Sequence, residues 1–105
     1  MRFEIVLAPD ASKALQALSA RVRAEVRDAL ERHLRFEPTK TSKSRIKRLR
    51  GLSQPQYRLR VNEIRVFYDV TETSVEVLAI IEKQEAQAWL DQEGTPRTRG
   101  GPGQG

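Results

Sequence analysis

The chain has 105 residues, 38% of them apolar and 31% charged, which suffices for one small core and excludes a second. With no cysteine and a single histidine, His33, it excludes disulfides, thiolate zinc sites, iron–sulfur clusters, cysteine nucleophiles and two-histidine nucleases. Its 19 Lys and Arg against 14 Asp and Glu give a formal charge of +5, which points toward polyanionic partners.

No apolar run approaches the roughly 20 residues that span a bilayer. The N-terminus, MRFEIVLAPD, has a short β-like run where a signal peptide has its apolar core, so a cytoplasmic chain without a membrane partner is expected. Residues 3–7 (FEIVL) predict a first strand, bounded by Pro9. Pro9 and Asp10 suit the first turn of a helix that carries Ala11, Ala14, Leu15 and Leu18 on one stripe. Ser19 is positioned to cap a second helix with Val22, Val26, Ala29, Leu30 and Leu34 on one face, ending before Pro38.

After a polar loop over 39–44, residues 46–49 predict a short strand stopped by Gly51. Three strands follow Pro55, over 56–61, 64–70 and 74–81, as an antiparallel meander. Residues 82–92 read as a helix, and 94–105 (GTPRTRGGPGQG), with no core former, as a disordered tail beyond a domain of residues 1–93. The expected fold class is α+β, a two-helix hairpin and a C-terminal helix packed on one face of a mainly antiparallel four- to five-stranded sheet.

The basic charge is local. From Lys40 to Arg65 there are nine bases and one acid, Glu63, so the rest of the chain is net acidic. A two-residue turn at Asn62-Glu63 sets Val61 opposite Ile64, Arg60 opposite Arg65, Leu59 opposite Val66 and Arg58 opposite Phe67. Alternation then places Tyr57, Leu59, Val61, Ile64, Val66 and Tyr68 on a core face. Arg58, Arg60, Arg65, Phe67 and Asp69 fall on the other face, with Asp69 as a partner for arginine. Arginine forks match phosphate oxygens and stay charged, so this face reads as a phosphate-binding groove. One feature resists the two-residue turn, because glutamate is a poor residue for a positive φ.

The segments KRLRG (47–51), YRLRVNEIRVFYDV (57–70) and VEVLAIIEK (75–83) resemble the RelE/ParE superfamily of toxins from type II toxin–antitoxin systems, the RelE branch more than the ParE branch. The likeness runs over about residues 1–92 and implies a metal-independent, cofactor-free endoribonuclease acting on A-site mRNA in the ribosome, with an antitoxin as partner and a hetero-oligomer with it. It further implies that Arg58, Arg60, Arg65 and Lys83 carry the catalysis, with Arg65 stabilising the phosphate. Arg50 takes the place of the family's turn arginine and Trp89 that of its C-terminal tyrosine. Lys43, Lys47, Arg48, Arg50, Phe67 and Trp89 are the expected RNA-binding residues.

Two positions depart from the family pattern. Lys83 keeps a charge without the bidentate fork, and Trp89 can stack on a base but cannot transfer a phenolic proton. Lys83 or Tyr68 would then supply the proton. The competing functions are a ParE-like inhibitor of DNA gyrase and a toxin fold that has lost catalysis and binds RNA or an antitoxin.

Overall fold

The computed structural model describes residues 1–97. In chain order the elements are β1 (Glu4–Leu7), α1 (Pro9–Ala17), α2 (Ala20–Ala29), β2 (Ile46–Arg48), β3 (Leu52–Gln54), β4 (Tyr57–Val61), β5 (Ile64–Val70), β6 (Ser74–Glu82), α3 (Lys83–Glu93) and β7 (Thr95–Pro96). Pro9 opens α1 with Asp10 in its first turn. The Ser19 hydroxyl accepts the Val22 N–H at 3.3 Å and so caps α2. The helix runs on through a wider π turn, Leu30–Leu34, and closes before Pro38. Arg23 reaches back across the corner and donates to the carbonyls of Leu15, Gln16 and Leu18 at the end of α1, sharing the Leu15 carbonyl with the Leu18 N–H.

Five strands form one sheet in the order β1-β6-β5-β4-β2. β1 pairs parallel with β6, and the other pairings are antiparallel. The β4–β5 register is the expected one, with Val61 opposite Ile64 and Arg60 opposite Arg65. At the turn, Asn62 takes the positive φ of 53° and Glu63 does not, so the glutamate meets no backbone strain. The core lies between this sheet and the first two helices, where Ala11, Leu15, Val26 and Leu34 pack on Leu59, Val66 and Tyr68. Tyr68 is fully buried, stacks on Tyr57 with centroids 5.5 Å apart, and donates its hydroxyl to the Pro38 carbonyl at 2.7 Å.

β6 departs from strict alternation. The β5–β6 register shifts between Phe67 opposite Ala79 and Tyr68 opposite Val77, which leaves Leu78 as the extra residue of a bulge. Val75, Val77 and Ile80 consequently all reach the core.

Two expectations are corrected here. The helices do not share one face: α3 lies across the sheet from α1 and α2, because its Trp89 stacks on Phe67, which points away from the core shared by Val66 and Tyr68. The chain also stays structured past residue 93. Thr95–Pro96 pairs with β3 in a separate two-stranded sheet, and the Arg97 N–H donates to the Gly51 carbonyl at 2.8 Å. The remainder of the expected tail, 98–105, lies outside the described residues.

Tyr68→Phe keeps the packed ring and leaves the buried Pro38 carbonyl without its donor. A loss of about 1–3 kcal/mol is expected, read as a lower urea midpoint with an unchanged m-value.

Candidate nucleic-acid interface

Strand pairing aligns the basic residues in two rows across the sheet. Lys47 lies opposite Arg58, which lies opposite Phe67, which lies opposite Ala79. The second row joins Arg60, Arg65 and Ile81, and it extends beyond β2 because the Arg60 N–H donates to the Arg45 carbonyl at 2.9 Å. Side chains in both rows project from the face opposite the main core.

Arg65 is 7% exposed, and its Nη1 donates to the carbonyls of Asn62 at 2.8 Å and Ile64 at 3.1 Å. Burial, then the neighbouring charges of Arg58 and Arg60, hold its pKa below the ordinary arginine value against a smaller opposing pull from Glu63. Arg58 is half-buried, and its Nε is enclosed without a hydrogen-bond partner. Arg60 is exposed. Among the described residues none of the three forms an ion pair with a carboxylate. Three guanidiniums sharing a site with only the weaker pull of Glu63 to offset them repel one another, and an anion with several oxygens relieves that repulsion.

Lys83 stands at the first position of α3 with an exposed side chain, and its N–H donates to the Glu63 carbonyl at 2.8 Å. That bond clips the start of α3 to the hairpin turn, beside the row containing Arg60 and Arg65. Arg50 is exposed at the turn before Gly51, and Lys43 is exposed in the loop before β2. Lys47 is exposed and shares the arginine face.

Several expected site residues do not take the roles expected of them. Phe67 is fully buried beneath Trp89, with ring centroids 5.0 Å apart, so it cannot stack on a base. Trp89 gives one ring face to Phe67 and anchors α3. Arg48 sits on the opposite face from Arg58, because it pairs with Tyr57; its guanidinium lies 5.1 Å from that ring's centroid and donates to the Gln56 carbonyl. Asp69 partners no arginine and instead accepts from the Gln54 side chain at 2.7 Å and the Gln56 N–H at 2.8 Å. Tyr68 is sealed in the core, where burial pushes its phenol far above the usual value, so it cannot serve as the proton source. Arg45 precedes Lys47 by two residues, and this alternation, visible in the sequence, brings it beside Arg60 at the same edge of the face.

Among the described residues, no cluster of three or more Asp, Glu or His is arranged to hold a metal ion, and no helix is long and apolar enough to cross a membrane.

The fold is that of the RelE/ParE-like toxins. The chain superposes on the RelE–RelB complex from Pyrococcus horikoshii with a TM-score of 0.57 and 28% identity, covering 79% of this chain and 97% of the other. It matches the toxin–antitoxin complex RelBE2 from Mycobacterium tuberculosis with a TM-score of 0.61 and 21% identity, over 78% of this chain and 99% of that one. The YoeB dimer from Staphylococcus aureus gives a TM-score of 0.54 and 17% identity over 75% and 94% of the two chains. No protein-family model matches the sequence, and no curated protein is similar to it. The resemblance drawn from the hairpin motif therefore holds in three dimensions, and the α+β class with it.

Trp89→Ala uncovers Phe67 and removes an aromatic stack at a half-buried position. A destabilisation of about 1–3 kcal/mol is expected, with most of it restored by Trp89→Phe in the same urea titration.

Proposed function

We propose that the protein is the toxin of a type II toxin–antitoxin pair and a metal-independent endoribonuclease that cleaves mRNA in the translating ribosome. The observation that carries this reading is the cluster of Arg58, Arg60 and Arg65 without a carboxylate partner, with the Arg58 Nε enclosed and unbonded. The 28% identity to an archaeal RelE–RelB complex supports it, as does that protein's pairing with RelB. An antitoxin bound over the basic face would gain from charge complementarity and would hold the toxin inactive.

In this reading Arg58 and Arg60 bind the phosphate on either side of the scissile bond. Arg65, held by the Asn62 and Ile64 carbonyls, presents a fixed donor to the negative charge that develops on the non-bridging phosphate oxygens. The RNA 2′-oxygen attacks the adjacent phosphorus, the bond to the 5′-oxygen breaks, and the products are a 2′,3′-cyclic phosphate and a 5′-hydroxyl. The proton from the 2′-hydroxyl passes to water, and the Lys83 ammonium protonates the departing oxygen. With Trp89 in place of the family's tyrosine and Tyr68 sealed in the core, Lys83 is the acid this chain retains near the cluster.

Arg60 is exposed and its side chain makes no hydrogen bond or ion pair among the described residues, so Arg60→Ala leaves the fold intact. It should lower cleavage in a translating extract by about two orders of magnitude, and Arg65→Ala by about two to three, the scale for losing a fixed donor. Arg65→Lys recovers only part of the loss. Cleavage by the wild type should persist in chelator. Full toxicity of both alanine variants, folded by circular dichroism, would exclude the nuclease and favour a gyrase inhibitor or a binding module.

A further inference from the structure

Arg45 stands just before β2, at the sheet edge farthest from β1, and it borders two cavities. One, of about 290 Å³, opens on the arginine face between Arg45, Arg60, Ser44 and Asn62. The other, of about 220 Å³, lies below the end of the second helix and is lined by Arg32, His33, Lys40, Ser42 and Arg45 together with the carboxylate of Glu37. The arginine thus links the face that carries Arg58, Arg60 and Arg65 to a second basic hollow around the edge of the sheet.

The loop that holds it is built. The Ser42 hydroxyl accepts the N–H groups of Arg45 at 3.0 Å and Ile46 at 3.4 Å, the Ser42 N–H donates to the Ile46 carbonyl, and the Arg45 carbonyl accepts from Arg60. The bases around the hollow are not equivalent. Arg32 pairs with Asp28 at 3.2 Å and Lys40 with Glu37 at 3.8 Å, whereas Arg45 has no carboxylate partner among the described residues. Its side chain is exposed and fixed only at the backbone. A small anion would satisfy either cavity alone. A ligand with phosphates at regular spacing uses both, and single-stranded RNA is such a ligand.

We propose that Arg45 binds a phosphate flanking the cleavage site and leads the RNA strand from the arginine face around the β2 edge into the hollow beneath the second helix. This rests on the RNA-cleaving reading and extends it to a longer footprint than the three arginines can hold.

The test is fluorescence anisotropy of the full chain with 2′-O-methylated RNA of about four and about ten nucleotides, lengths that bracket a short and an extended contact, over a range of salt. Arg45→Ala should weaken the longer RNA about fivefold, lower its salt slope by about 0.7 for the lost phosphate contact, and leave the shorter RNA unchanged. Arg45→Lys should restore the slope. Equal losses on both lengths, or no loss on either, would overturn the extended path while leaving the nuclease reading intact. Failure of the wild type to bind either RNA would overturn the extended path, while the nuclease reading is judged separately by cleavage in the translating extract. Circular dichroism of each variant confirms that the fold is retained.

Discussion

The pairing of Val61 with Ile64 across the Asn62-Glu63 turn decides where every side chain of the central hairpin points. With period-two alternation, a slip of one residue would send Leu59, Val66 and Tyr68 to solvent and Arg58, Arg60 and Arg65 into the core. Asn62 makes the tight turn possible by taking the left-handed conformation itself. The apolar face then has only one way to meet the helices, and the guanidiniums have only one side on which to gather.

That gathering opposes folding. Like charges opposite one another on a sheet repel, and Arg65 is desolvated as well. The fold offsets part of this by giving Arg65 two carbonyl acceptors, but Arg58 keeps an enclosed Nε with none. Such an arrangement is costly in a free protein; in the proposed reading it becomes favourable when an oxyanion arrives, because the donors are already aimed and need no reorganisation. The trade of local stability for a prepared site is the usual physical meaning of unpaired charge at partly buried positions.

Much of this was legible from residues alone. Pro9 and Ser19 marked helix starts through local chemistry, and alternation in the hairpin assigned its two faces. Tertiary contacts accounted for what was missed. Nothing local in WLDQEG tells which side of the sheet the last helix covers, so the sequence leaves Phe67 free to meet RNA, whereas in the fold Trp89 lies on it. The bulge at Leu78 was hidden because the run of apolar residues in SVEVLAII fits either phase. β3 and β7 are two short polar segments far apart in the chain, and neither carries a periodic signal. Arg48 illustrates the converse: KRLR reads as one basic stretch, but alternation sends Lys47 and Arg48 to different faces.

The pairing of Thr95–Pro96 with Leu52–Gln54 has a mechanical meaning. Together with the Arg97–Gly51 bond it closes a loop that contains the entire basic hairpin, while the Lys83–Glu63 bond ties α3 to that hairpin at its other end. Lifting α3 from the sheet therefore requires opening this seam as well as breaking the aromatic stack beneath the helix. The basic hairpin is thereby enclosed between two backbone closures, one at each of its ends.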